Sequence, residues 1–143
     1  MSRASTLTAL CLLVALALAA ACGGGEEGGP GGAELPAGFP GDFPLYEKAT
    51  VRVATVAPEG GRFLVSMETE DSADKVLAFY ERELDKDPWH VENVQDIPEM
   101  ETMIIRFARV DGGESGTVAI ATVREDGQYV TIALSLPSLT KAQ

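Results

Sequence analysis

The chain has 143 residues, 45% of them hydrophobic, and 22 acidic side chains against 11 basic ones give a formal charge of −11. That length suits one domain with a real core. With no run of Lys or Arg, the acidity excludes nucleic acid as a partner, because phosphates demand a basic footprint, and it equally disfavours electrostatic docking on an anionic membrane.

The first element is Arg3 followed by an almost wholly apolar run from Leu7 to Leu18, then Ala19-Ala20-Ala21-Cys22 and Gly23-Gly24-Gly25. A membrane-spanning helix needs about 20 apolar residues. Leu7 to Ala21 is shorter and meets glycine at once, so it reads as the h-region of a signal peptide behind a positive n-region. Small residues followed by Cys22 resemble the lipobox of a bacterial lipoprotein, with Ala19 where leucine is usual and Leu18 one place early. The resemblance implies lipidation of the Cys22 thiol and cleavage just before it. Ordinary secretory cleavage after Ala21 and an uncleaved anchor stay open as alternatives. Cys11 does not qualify, since Leu10 precedes it.

The expected organisation is thus a signal peptide over 1–21, a lipidated cysteine with its tether over 22–34, and one domain over 35–143. Cys11 leaves with the signal and Cys22 becomes a thioether, so the domain offers no disulfide framework, cysteine metal site or thiol nucleophile. Stable anchoring takes at least two membrane signals, and the diacylglyceryl group implied by the lipobox resemblance meets that threshold. All 22 acidic residues and ten basic ones follow Cys22, leaving about −12. The tether, Gly23 to Gly32, has seven glycines, two glutamates and one proline, a composition that cannot bury apolar surface and predicts a solvated spacer.

Leu35 to Tyr46 is rich in proline with interleaved aromatics, and reads as an extended lead-in whose Phe43, Leu45 and Tyr46 cover one end of the core. Thr50 to Val56 alternates as a strand, Pro58-Glu59-Gly60-Gly61 is a turn, and Phe63 to Met67 completes a hairpin. A helix follows. Asp71 or Ser72 can cap it, Asp74 suits its dipole, and Ala73, Val76, Leu77, Tyr80 and Leu84 share one face until Asp87-Pro88. Four strands are then predicted at Trp89 to Val94, Thr102 to Val110, Thr117 to Arg124 and Tyr129 to Leu136, the last two joined by a turn containing Asp126-Gly127. Short links mean antiparallel pairing. The fold class is therefore α+β: an antiparallel sheet of about six strands, ordered ββαββββ, with one helix packed on one face and the other face partly open.

Pro44-Leu45-Tyr46, then Val76, Phe79, Tyr80 and Leu84, then Trp89, resemble a domain carried by small bacterial lipoproteins. That pattern opens Pro-Leu-Tyr-Pro-Gly-Ala and continues through a hairpin, a Val-x-x-Phe-Tyr-x-x-x-Leu helix and Gly-Trp. Here Glu47-Lys48 replace Pro-Gly, and Pro88 replaces the glycine before tryptophan. The resemblance spans Asp42 to Leu136 and implies a fold without an activity. Tyr80 and Trp89 are candidates for a ligand platform, with core packing as the competing reading.

The catalytic inventory is thin. His90 is the single histidine, so histidine zinc sites and Ser-His-Asp triads lack partners. Gly113 to Thr117 lacks the spacing and strand-to-helix context of a nucleophile elbow. The pairs Asp71/Asp74, Asp85/Asp87 and Asp96/Glu99 match neither a calcium loop nor a walled carboxylate dyad. No catalytic residue, metal or cofactor is expected, and the chain reads as a non-enzyme. The leading expectation is a lipid-anchored envelope protein making protein contacts through an uncovered sheet face or edge. The alternative is a lipoprotein that binds a small molecule or lipid between helix and sheet. With two membranes, Gly23 after the cysteine resembles the default for outer-membrane sorting.

Overall fold

In the computed structural model, residues 32–58, 61–113, 115–124 and 128–137 are described. The signal segment, Cys22 and nearly all of the tether lie outside them. Six strands form one antiparallel sheet: β1 (Thr50–Val56), β2 (Arg62–Thr69), β3 (Trp89–Ile97), β4 (Thr102–Arg109), β5 (Gly116–Val123) and β6 (Tyr129–Pro137). The spatial order is β1-β2-β6-β5-β4-β3. The helix α1 (Ala73–Glu83) connects β2 to β3, so it carries the chain from beside one edge strand to the opposite edge.

Ser72 is the helix cap, its hydroxyl accepting a hydrogen bond from the Lys75 amide at 3.4 Å. The helix ends earlier than Pro88 demands. Leu84 closes it, donating its amide to the Tyr80 carbonyl at 2.8 Å. Val76, Tyr80 and Leu84 share a spacing of four residues and are all fully buried, while α1 approaches β5 in the middle of the sheet. Period-two alternation supplies the rest of the core: Phe63, Val65 and Met67 from β2, Ile105 and Phe107 from β4, Val118 and Ile120 from β5, and Val130 to Leu136 from β6.

Two strands run longer than the hydrophobic pattern predicts. β2 extends to Glu68 and Thr69, which pair with β6 and, at Glu68, with β1. β3 extends to Ile97, because Gln95 and Asp96 keep pairing with Ile104 and Met103. Backbone pairing makes no demand on side-chain polarity, and an edge strand is well served by exposed polar residues that discourage further pairing. Glu92 to Asp96 are all exposed. Pro98–Met100 then forms a short 3-10 turn, with Glu101 in the left-handed region at φ 46°.

The lead-in does not trail away from the sheet. Ala33 donates its amide to the Val51 carbonyl at 2.9 Å, and Gly32 bridges the β1 edge at φ 126°. A side chain at Gly32 would strike the Val51 backbone, so only glycine allows that approach. The chain then passes Phe39, Phe43 and Tyr46 before entering β1. Phe43, Tyr46 and Ala49 are buried and Leu45 is half-buried.

Candidate functional site

Aromatic rings organise the interior where the lead-in meets the domain. The Phe43 ring lies 5.3 Å from Phe107, 5.5 Å from Trp89 and 6.5 Å from Tyr80 between centroids. Trp89 meets Phe107 edge-on at 5.5 Å. These separations fall in the range where aromatic pairs gain beyond area burial. Tyr80 and Trp89 therefore belong to one cluster, bridged by Phe43 and Phe107, and both are buried. No solvent-facing platform forms from them. The competing core reading describes them better.

One atom in that cluster is out of place. Tyr80 is fully buried, and its Oη has no hydrogen-bond partner among the described residues. Burial pushes its ionisation well above the ordinary tyrosine range, and the neighbouring Tyr46 backbone opposes that shift. The phenol is thus a neutral donor held in an apolar surrounding.

Two clasps hold the lead-in from outside. The Tyr46 hydroxyl donates to Asp71 Oδ2 at 2.7 Å, and Lys75 donates to Asp71 Oδ1 at 3.1 Å, with Lys48 at 3.7 Å. The Tyr46 hydrogen bond, then that from Lys75, hold the Asp71 carboxyl below its usual range. Burial, followed by the Asp71 contact, raises Tyr46 to about 12. At the other end, Arg109 pairs with Asp42 at 3.3 Å while its guanidinium lies over the Trp89 ring at 5.0 Å. Sequence periodicity assigns Tyr46 and Phe43 to a core covering. It has no means of pairing Asp71 with Tyr46, 25 positions away, or Arg109 with Asp42, 67 positions away.

Between the lead-in and the outer side of α1 runs an open cleft of about 740 Å³. Pro44, Leu45, Ala78 and Phe79 supply its apolar floor, and Lys48, Lys75 and Arg82 stand on its rim with Glu47 and Glu83. Phe79 carries the guanidinium of Arg82 at 5.8 Å and stacks edge-on against both Tyr46 and Tyr80 at 5.1 Å. A second groove of about 530 Å³, at the end of β1 and β2, is lined by charges that pair with each other, including Arg52 with Glu68 at 2.6 Å. A shallower trough on the sheet holds Val53, Leu64, Ala119 and Ala133.

The other sequence candidates stay apart. His90 is half-buried opposite Ala108 in the edge strand, and its Nδ1 has no hydrogen-bond partner among the described residues. Asp74, Asp85, Asp87, Asp96 and Glu99 are exposed. Ser115 donates its hydroxyl to Glu92 at 2.9 Å on the surface. Among the described residues no three of His, Cys, Asp and Glu gather as metal ligands, and no helix is long and apolar enough to cross a membrane.

A six-stranded antiparallel sheet with one inserted helix, an aromatic interior and an amphiphilic cleft along that helix defines a small α+β domain with room for a ligand at its surface. Residues 50–138 match the START domain-like family, and the chain belongs to that family. No curated protein matched the chain.

Proposed function

We propose that this chain is a lipid-anchored envelope protein whose START domain-like unit binds a small amphiphilic molecule without transforming it. The observation that carries this reading is the cleft between lead-in and α1, whose volume lies within the usual range for ligand sites and whose lining is divided between apolar side chains and charged ones. Its rim carries both signs, Lys48, Lys75 and Arg82 against Glu47 and Glu83, with Arg82 paired to Glu83 at 2.9 Å, a mixed set that suits a polar head group above an apolar tail. Family membership supports ligand binding over the protein-contact reading that the sequence favoured. In this arrangement α1 covers one face of the sheet, and the cleft lies on the helix's far side. Lipidation at Cys22 would hold the cleft near a membrane surface, where amphiphiles concentrate. If there are two membranes, Gly23 after the cysteine resembles the default for outer-membrane sorting and supports placement there.

Calorimetric titration with a fatty acid tests the cleft. Truncating Phe79 to Ala removes the one aromatic ring of its apolar floor and should weaken binding about tenfold, the equivalent of about 1.4 kcal/mol. Equal affinity for Phe79→Ala and wild type refutes the site. Acyl labelling tests the anchor: label should enter wild type and not Cys22→Ala, and equal labelling of both rejects it. A second reading has its own observation. Val53 is 56% exposed and Leu64 40% exposed beside Ala119 and Ala133, an apolar sheet patch suited to a protein partner. Crosslinking in intact envelopes through a photoreactive group at position 64 distinguishes it.

A further inference from the structure

We infer that the place now filled by the Phe43 ring is a ligand subsite, and that the lead-in from Leu35 to Ala49 is a displaceable plug supplied by the chain itself. This rests on the amphiphile-binding reading above and says where the apolar end of that ligand goes. The family match begins at residue 50, so the segment that contributes Phe43 precedes the matched unit. Phe43 is nevertheless 5% exposed and sits among Tyr80, Trp89 and Phe107. Without it, those three rings would line an apolar chamber.

Apolar packing, more than backbone pairing, holds this segment. Its own backbone hydrogen bonds are local turns: Phe39 to Pro36, Phe43 to Pro40 and Ala49 to Tyr46. Among the described residues, the segment from Leu35 to Ala49 is tied to the rest of the domain by the Asp42 and Tyr46 clasps, the Lys48–Asp71 pair, Thr69 Oγ1 to the Lys48 carbonyl at 2.9 Å, and Trp89 Nε1 to the Asp42 carbonyl at 3.4 Å. Lifting it breaks no pairing between the six strands.

Tyr80 points to what replaces it. A buried hydroxyl without a partner is costly to keep, and here it borders the Phe43 position. A ligand entering the chamber with a carbonyl, ether or ester oxygen along its chain would accept a hydrogen bond from that hydroxyl while its apolar end took the ring's place. The route is continuous. Tyr46 stacks on Phe79 in the cleft and Phe79 stacks on Tyr80, so withdrawing Pro44 to Lys48 joins cleft and chamber.

Trp89 is the chain's single tryptophan and touches the Phe43 ring without lining the cleft, which makes it a contact reporter. Full-length protein is titrated with a fatty acid brominated near its methyl end, reading calorimetric binding, Trp89 quenching and amide hydrogen exchange together. The expected result is saturable quenching with faster exchange across residues 39–46. Asp42→Ala and Tyr46→Phe loosen opposite ends of the plug without emptying the core, and circular dichroism verifies their fold. Each should lower the half-saturating concentration about 3- to 10-fold by raising the competent fraction. Calorimetric binding with Trp89 unquenched and plug exchange unchanged overturns the subsite and leaves the cleft reading standing. Absence of calorimetric binding to wild type and to both clasp variants overturns the two together.

Discussion

Replacing Tyr80 by Phe should stabilise the free protein, an unusual sign for a change at a fully buried position. The side chain has no exposed surface and its Oη has no hydrogen-bond partner among the described residues. Burying a hydroxyl without compensation costs about 1–3 kcal/mol on protein mutational scales. Deleting the oxygen returns that cost but forfeits a few dispersion contacts at about 0.1–0.2 kcal/mol each. The net expectation is a gain of about 1 kcal/mol. For a domain of roughly 100 residues, an unfolding entropy near 2.1 cal/mol/K per residue converts this to a rise of about 4–5 °C in Tm. Thermal and urea melts followed by near-ultraviolet dichroism measure it, with Tyr46→Phe as a control of opposite sign, since that hydroxyl does hydrogen-bond Asp71 at 2.7 Å. If Tyr80→Phe melts several degrees below wild type, its hydroxyl has a partner, and the reasoning about an orphaned phenol collapses.

Gly116→Ala should cost about 1–3 kcal/mol by overpacking, because the added methyl would run into the Phe107 ring and lie 2.8 Å from the Ser135 carbonyl oxygen; an unchanged urea midpoint would show that the ring has space to yield. The Asp71 carboxyl titrates below its ordinary range when folded, so its contribution is present above that range and lost as pH falls through the folded value. Asp71→Asn should therefore flatten the acid limb of the Tm–pH curve, and an unaltered limb argues that the clasp is energetically idle. Tyr46 behaves in the opposite sense. Raised from about 10 to about 12, its contribution is intact below the ordinary tyrosine value and lost as pH climbs through the folded one. Tyr46→Phe should lose less stability than wild type across that alkaline window.

Much of the architecture was legible from local order. The spacing of Ala73, Val76, Leu77, Tyr80 and Leu84 marked the helix, and alternation placed all six strands, because period 3.6 and period 2 are written into consecutive residues. Strand ends were less legible at Glu68-Thr69 and at Gln95-Asp96, where backbone pairing continues through polar side chains. The lead-in was read as covering one end of the core through Phe43, Leu45 and Tyr46. Its depth of insertion was not visible, since nothing local distinguishes a phenylalanine that caps a core from one that fills it.

The sequence by itself determined what depends on composition and short-range order: an acidic chain, an apolar start ending at Cys22, and the succession of elements. The tertiary structure alone decided the order β1-β2-β6-β5-β4-β3, in which the β2 to β3 connection passes from one side of the sheet to the other. It alone brought Asp71 to Tyr46 and Arg109 to Asp42, left Tyr80 Oη without a partner among the described residues, and opened the cleft beside Phe79. Those are contacts between residues far apart in the chain, set by which strands pair and which rings fill the shared interior, and no periodicity encodes them.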